Sequence, residues 1–258
     1  MHRLSNIGVW DILLVLAVIL QATAMAYVYQ PKWKAFLLTV PIPFTFATMA
    51  VGRNIDVTNV AGLLLLLIFT HAVRILHYEI KVPIVAAIAG ASVMYCLIGS
   101  ILAPLLPRTS AAFWTALSII LILAFFLWCV TAHRIEPGHR SPLPIWLKLP
   151  IITVVILGLI SIKARMQGFV TVFPMVGVVA AYEARHSLWT ISRQIPVIML
   201  AFVPMLAVCY LLQGRVGLGV GVSLGWIAYL ALLVPLTCSM WTNDKKQIPD
   251  SAVLEKDE

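Results

Sequence analysis

Nine long apolar runs follow one another along this chain with only short polar breaks between them, and that pattern leaves few folds open. The runs cover about residues 9–28, 33–51, 57–78, 82–104, 110–132, 146–163, 168–184, 189–212 and 217–240. A bilayer core demands about 20 predominantly apolar residues per helix, and most of these runs meet that length. The chain is 62% hydrophobic and 11% charged, whereas soluble domains carry roughly 45–50% apolar and about 25% charged residues. The expected fold is all-α: a polytopic transmembrane helix bundle of about nine spans, with no loop long enough to fold as a soluble domain.

A net charge of +8 raises the question of nucleic acid, but the basic residues are scattered through the loops and are not interleaved with aromatics. Their arrangement reads instead as a topology signal. Arg3, Arg53, Arg108, Lys163, Arg165 and Arg215 fall on one side of the expected membrane, which leaves 18 − 6 = 12 lysines and arginines on the other. That bias places the carboxyl terminus in the cytoplasm and the amino terminus outside. The first run, with His2 and Arg3 ahead of it and Ala22-Thr-Ala24 near its end, has some features of a signal peptide. Asp11 interrupts it and many further spans follow, so it reads as a retained first helix. Cys96, Cys129, Cys209 and Cys238 lie singly in apolar surroundings, as packing residues do. The longest loop, His133 to Leu147, holds Pro137, Gly138, Pro142 and Pro144 and reads as a linker, and Asn243–Glu258 reads as a solvated tail.

Two of the runs are broken by proline. In the second run the stretch is Phe36-Leu-Leu-Thr-Val-Pro41-Ile-Pro43, and in the seventh it is Phe169-Val-Thr-Val-Phe173-Pro174. Sliding the chain by 133 positions superposes Phe36 on Phe169, Pro41 on Pro174 and Ala47 on Ala180; with one gap, Arg53 falls on Arg185 and Thr58 on Thr190. Basic pairs precede both breaks, Lys32 and Lys34 in one case and Lys163 and Arg165 in the other. The pattern predicts a duplication: residues 1–106 as a first four-helix membrane repeat, 107–145 as a linker helix and loop, 146–241 as a second four-helix repeat, and 242–258 as a polar tail. Four spans return the chain to its starting side, so a single fifth span inverts the second unit, giving a 4+1+4 arrangement with a pseudo-two-fold axis in the membrane plane.

The second unit also carries a resemblance. Lys163-Ala-Arg165, Gly168, Phe173-Pro174, Ala180, Tyr182, Arg193 and Pro204 lie within residues 146–240, which resemble the GlpM family of small bacterial inner-membrane proteins. The family's acidic–basic pair ahead of its next helix is missing, since Ser187 and Leu188 stand there. The resemblance implies a bacterial cytoplasmic-membrane protein with a loose link to exopolysaccharide production.

Proline in a span removes a backbone donor and frees a carbonyl, and in lipid that carbonyl must find a partner in protein or in enclosed water. Pro41, Pro43 and Pro174, with Phe173 and the hydroxyls of Thr39 and Thr45, are therefore candidate substrate-binding residues; plain helix kinks are the alternative. His71 and Arg74 are a second candidate pair, three residues apart in one span, where ionisable groups are costly and tend to face the protein interior. Arg185 and Arg193 are candidates for phosphate contact at the headgroup level, against a plain anchoring role. Gly217, Gly221 and Gly225 at four-residue spacing suggest close helix packing or a homodimer seam. No nucleotide loop, zinc-protease pair, nucleophile elbow or carboxylate dyad is present, so neither a cofactor nor a catalytic metal is expected. Partners are the lipid bilayer and a second copy or an envelope-assembly protein, with no nucleic acid. The leading expectation is a secondary transporter or flippase for a small anionic or phosphate-bearing substrate, free or lipid-linked. The alternative is a non-catalytic accessory subunit of envelope or exopolysaccharide assembly.

Overall fold

The structure is a computed structural model that describes residues 8–131, 136 and 145–246. Among these there is no β-strand, and eleven helices follow in chain order: α1 (Val9–Tyr27), α2 (Pro31–Thr39), α3 (Ile42–Val51), α4 (Val57–Tyr78), α5 (Ile84–Leu105), α6 (Ser110–Val130), α7 (Ile145–Met166), α8 (Gly168–Val172), α9 (Met175–Glu183), α10 (Leu188–Val216) and α11 (Leu218–Lys246). Seven are long and apolar enough to cross a membrane by length and composition, counting α2 and α3 together. The apolar stretch Gly168–Glu183 is shorter, 183 − 168 + 1 = 16 residues. The chain is thus an all-helical protein with the make-up of a multi-pass membrane protein.

The helix ends follow local chemistry. Asp56 caps α4, its carboxylate accepting from the Thr58 backbone N–H at 2.8 Å while Asn59 returns a side-chain bond to the Asp56 N–H at 2.9 Å. The Thr109 hydroxyl caps α6 by accepting from Ala112 N at 3.2 Å. Two expected boundaries move. Helix α11 continues through Lys246, so the first residues assigned to the polar tail extend a helix instead. The loop 133–147 and the tail otherwise lie outside the described residues, apart from Glu136 and the start of α7 at Ile145.

Exposure tracks an apolar surround. Ile119, Ile122, Phe125 and Phe126 on α6, Val85, Val93, Leu97 and Ile101 on α5, and Val220, Ile227 and Val234 on α11 are all exposed, a pattern costly in water and suited to lipid. Inside, α10 and the second broken segment are the most enclosed. Helix α8 packs on α4 while α2 packs on α10; α9 packs on α5 while α3 packs on α11. The second broken segment therefore rests on helices from the first part of the chain, whereas in the first segment α2 rests on α10 and α3 chiefly on α1.

Polar contacts gather at two ends of the bundle. At one end the Lys163 ammonium donates to both oxygens of buried Asp11, at 2.6 and 2.7 Å. At that end too, Gly168 N donates to Thr58 Oγ1 at 3.0 Å, and Arg108 donates to Gln167 Oε1. The Gln213 amide there clasps Ile55, accepting from its N–H at 2.6 Å and donating to its carbonyl at 3.0 Å. At the other end buried Lys34 donates to the Glu183 carbonyl at 3.0 Å, the Leu188 N–H donates to Tyr78 Oη at 3.3 Å, and the Glu136 carboxylate accepts from Trp189 N and Thr190 N at 3.2 and 2.6 Å.

Candidate functional site

Both proline breaks are real interruptions, and they share one backbone geometry. Helix α2 stops at Thr39; Val40 is extended (φ −70°, ψ 116°) and Pro41 (φ −82°, ψ 37°) starts α3. Helix α8 stops at Val172; Phe173 is extended (φ −54°, ψ 134°) and Pro174 (φ −74°, ψ 61°) starts α9. In each case the residue after the proline donates back two positions, Ile42 N to Val40 O at 2.9 Å and Met175 N to Phe173 O at 2.7 Å. That is an inverse γ-turn centred on the proline. The ring fixes φ near the value this turn needs, so the same residue both breaks the helix and shapes the turn.

Several of the freed carbonyls can be followed to new donors. Pro41 withholds the N–H that would reach Leu37 O, and Gln21 of α1 supplies it instead: its Nε2 donates to Leu37 O at 2.6 Å and to Val40 O at 3.1 Å. Pro43 withholds the N–H for Thr39 O, and the Tyr229 hydroxyl of α11 donates there. The Thr39 hydroxyl donates to Phe36 O at 2.6 Å. Pro174 withholds the N–H for Val170 O, which Phe173 N now reaches at 3.3 Å. That shift leaves Phe169 O open, and the Tyr95 hydroxyl of α5 donates to it at 3.0 Å. A buried carbonyl without a partner costs about 1–3 kcal/mol, so these side chains hold the breaks open at little net cost.

Aromatic rings pack around both breaks. Phe173 meets Tyr95 edge-on with centroids 5.0 Å apart and lies 6.4 Å from Phe69. Phe202 meets both Phe44 and Tyr229 edge-on, each at 5.1 Å. The phenylalanines on α4 and α10 are 202 − 69 = 133 positions apart, and the tyrosines on α5 and α11 are 229 − 95 = 134 apart. Edge-to-face pairs of this kind add about 0.5–1.5 kcal/mol each beyond the area they bury.

Between the two breaks lies a cavity of about 80 Å³, lined from one side by Thr39, Val40, Pro41 and Pro43 and from the other by Thr171, Phe173, Pro174 and Gly177. Helices α4 and α10 close it with Phe69, Thr70, Ile195 and Phe202, and Gln21 of α1 also lines it. The lining contains no lysine, arginine, aspartate or glutamate. Its polar side chains are one amide and three threonines, and of these Thr171 is engaged by Asn59 Nδ2 at 2.9 Å and by its own donation to Gly168 O at 2.7 Å.

The structure thus brings together Thr39, Pro41, Pro43, Phe173 and Pro174. Thr45 stands beside them but faces another way: its hydroxyl donates to Pro41 O at 3.1 Å and accepts from Trp226 Nε1 at 2.8 Å. His71, Arg74, Arg185 and Arg193 do not line the cavity. His71 Nδ1 is 3.0 Å from the Leu67 carbonyl one turn back, and the Arg74 guanidinium sits 4.5 Å from the Trp189 ring centre. Arg185 folds over Tyr182, 5.2 Å from its ring centre, and donates to the Tyr182 carbonyl at 3.4 Å. Of the glycine stripe, Gly221 and Gly225 face α10, where a side chain at Gly225 would meet Cys209 Sγ at 2.8 Å and one at Gly221 would lie 3.5 Å from the Gln213 backbone. Gly217 precedes α11 and is exposed.

Three residues that matter here were not singled out from the sequence. Gln21, Tyr95 and Tyr229 are ordinary members of apolar runs, and only the proline positions hint that donors are required nearby. The chain matches no family model, no curated protein and no solved structure.

Proposed function

We propose that the chain is a small secondary transporter or flippase whose substrate site is the cavity between the two proline breaks. The observation that carries this reading is the convergence of two broken segments, distant in sequence and alike in turn geometry, on one cavity near which the freed carbonyls of Leu37, Thr39 and Phe169 are each given a side-chain donor. Packing alone would be served by unbroken helices. Half-helices that meet at a central cavity are the recurring way to place polar backbone at membrane depth.

In this proposal the chain crosses the membrane nine times and its two parts are inverted copies. Support comes from the ends of the bundle. Asp11, Ile55, Thr58, Arg108, Lys163, Gly168 and Gln213 are linked at one end, and Lys34, Tyr78, Glu136, Glu183 and Leu188 at the other. Nine alternating passes put each of these groups on the side where its partners are. Phe69 and Phe202, 133 positions apart, and Tyr95 and Tyr229, 134 apart, each stand beside a break and fit the same duplication. Alternating access would come from rocking one unit on the other about the cavity.

The uncharged lining bears on what is carried. A phosphate-bearing or lipid-linked substrate would meet Arg185 and Arg193 on its way in or out, while the cavity itself holds an uncharged portion. The resemblance of residues 146–240 to the GlpM family places the protein, in this reading, in a bacterial inner membrane with its carboxyl terminus in the cytoplasm. A second copy or an envelope-assembly partner would dock on a lipid-facing side such as that of Ala86 and Gly90, which are exposed on α5.

Reconstitution tests the reading. Liposomes holding the protein should release small uncharged amides, or scramble fluorescent phospholipids, in a protein-dependent way, and the Pro41→Ala/Pro174→Ala double variant should lose most of that flux. Full flux in the double variant removes the breaks as the site. Co-purification of a stoichiometric partner with no flux points to an accessory subunit instead.

A further inference from the structure

The cavity between the breaks is open on one side, and the burial of its lining locates that side. Leu38, Val40 and Pro43, all at the first break, are partly exposed, and every other lining residue is buried. Neither end of the bundle supplies the opening. Toward the end that carries Asp11 and Lys163 stand Asn59, Val60, Leu63 and Phe169, each at most 3% exposed. Toward the opposite end Val73, Ala181, Leu188 and Ile191 line the cavity and are themselves buried, with Lys34 and Glu183 buried beyond them.

The first break lies in the apolar outer surface. On one side of it is α1, whose Gln21 donates to the Val40 carbonyl, and on the other is α11, whose Tyr229 donates to the Thr39 carbonyl. Next to those two residues Leu20 of α1 and Ile227 and Leu230 of α11 are exposed, a surface suited to lipid. Gln21 is 21 − 9 = 12 residues into α1 and Tyr229 is 229 − 218 = 11 into α11, both counted from the same end of the bundle. At about 1.5 Å per residue each stands about 17–18 Å from that end, near the middle of a hydrocarbon core of about 30 Å. The opening is a side window at the depth of the lipid tails.

We propose that the cavity takes a hydrocarbon chain of a bilayer lipid, admitted sideways between α1 and α11 past the first break. This deepens the reading of the breaks as a substrate site and rests on it. The medium at the window decides the class of ligand. A polar solute would have to shed its water in hydrocarbon before reaching the cavity, a costly step that a lipid chain avoids because it is already there. The wall suits such a chain: Phe69, Phe173, Ile195, Ile198 and Phe202 stand behind the window, and no charged side chain lines the space. Within lipid the hydrophobic effect does not drive filling, so the gain comes from the dispersion contacts that a void would forfeit. Because the cavity is open, part of a chain can enter while the headgroup stays at the membrane surface.

Photo-crosslinking tests this on the full-length protein in phosphatidylcholine nanodiscs. A small fraction of the lipid carries a diazirine midway along one acyl chain, and mass spectrometry maps the adducts. Adducts are expected on Phe69, Phe173 or Ile195, behind the window, as well as on outward-facing Leu20 and Ile227. The same diazirine placed on the headgroup, or on a water-soluble probe, should leave those interior residues unlabelled. Thr70→Trp fills the cavity at a residue whose hydroxyl donates within its own helix, to Leu66 O at 2.9 Å. That variant should lose the interior adducts and keep those on Leu20 and Ile227. Chain adducts confined to outward-facing residues overturn the proposal, as do interior labelling by either control probe and interior adducts unchanged in Thr70→Trp. Labelling of Leu20 and Ile227 with none at Leu38, Val40 and Pro43 also overturns it, and would mean that another protein surface covers the window. Should Thr70→Trp fail to fold, the three probes on the unaltered protein decide alone. Interior chain adducts without lipid scrambling in liposomes remove the transport reading and leave the ligand class standing. Scrambling without interior adducts does the reverse.

Discussion

The two broken segments are chemically alike and mechanically different. Residues 168–177, which span α8, the second break and the start of α9, are buried without exception, whereas in α2 and α3 burial alternates with partial exposure and Trp33 is 48% exposed. The second segment is also pinned by close backbone approach. Gly168 lies so near α4 that an added Cβ would fall 2.3 Å from Thr58 Oγ1, and Gly62 of α4 and Gly99 of α5 receive Val172 and Phe169 in the same manner. The first segment is held instead by side chains that reach across, Gln21 and Tyr229. Close packing permits few arrangements, and hydrogen bonds from side chains can be exchanged. The comparison therefore casts the second segment as the fixed wall of the cavity and the first as the part that moves.

Truncation should expose this asymmetry most strongly. Phe169→Ala removes a fully buried ring, at a cost of about 3–5 kcal/mol. Phe36→Ala, at the position 133 residues earlier, removes a ring that is only partly buried and should cost less than half as much. Thermal unfolding in detergent would measure both, and equal losses would break the distinction between wall and moving part.

A smaller and opposite expectation attaches to the tyrosines, which play the same part on the two sides. Tyr95→Phe and Tyr229→Phe each leave one carbonyl at a break without its donor, so each should cost about 1 kcal/mol with little change in packing. Similar losses sharpen the picture of reciprocal support. A loss confined to one of them would mean that only one of the two hydroxyls supports its break.

Much of the fold was legible because it rests on local chemistry. Apolar runs and prolines mark helices and their interruptions directly, and the two γ-turns form where Pro41 and Pro174 stand. The span boundaries also came close, α4 coinciding with residues 57–78 and α6 ending two residues short of 132. The cavity's chemistry was harder to read. Arginines in a greasy chain suggested an anionic site, yet Arg74 and Arg185 are occupied by aromatic faces away from the cavity. What lines the cavity is set by contacts across long separations, such as Gln21 with Leu37 and Tyr229 with Thr39, and a glutamine or tyrosine in an apolar run carries no mark of its partner. The pairing of Asp11 with Lys163 was equally hidden, although the cost of burying Asp11 alone implies that some cation must reach it.

The central claim is that the chain passes from one side of the bundle to the other through Gly168–Glu183, a stretch of only 16 residues. As a straight helix it would span about 24 Å, short of a hydrocarbon core of about 30 Å. Arg165 and His186 flank it and both are exposed. Single cysteines at these two positions, in a background lacking Cys96, Cys129, Cys209 and Cys238, can be probed with a membrane-impermeant thiol reagent on intact cells. The account predicts labelling of Arg165→Cys from outside and of His186→Cys only after the membrane is opened. Labelling of both from the same side would make the segment a re-entrant hairpin and would contradict the inverted arrangement on which the site depends.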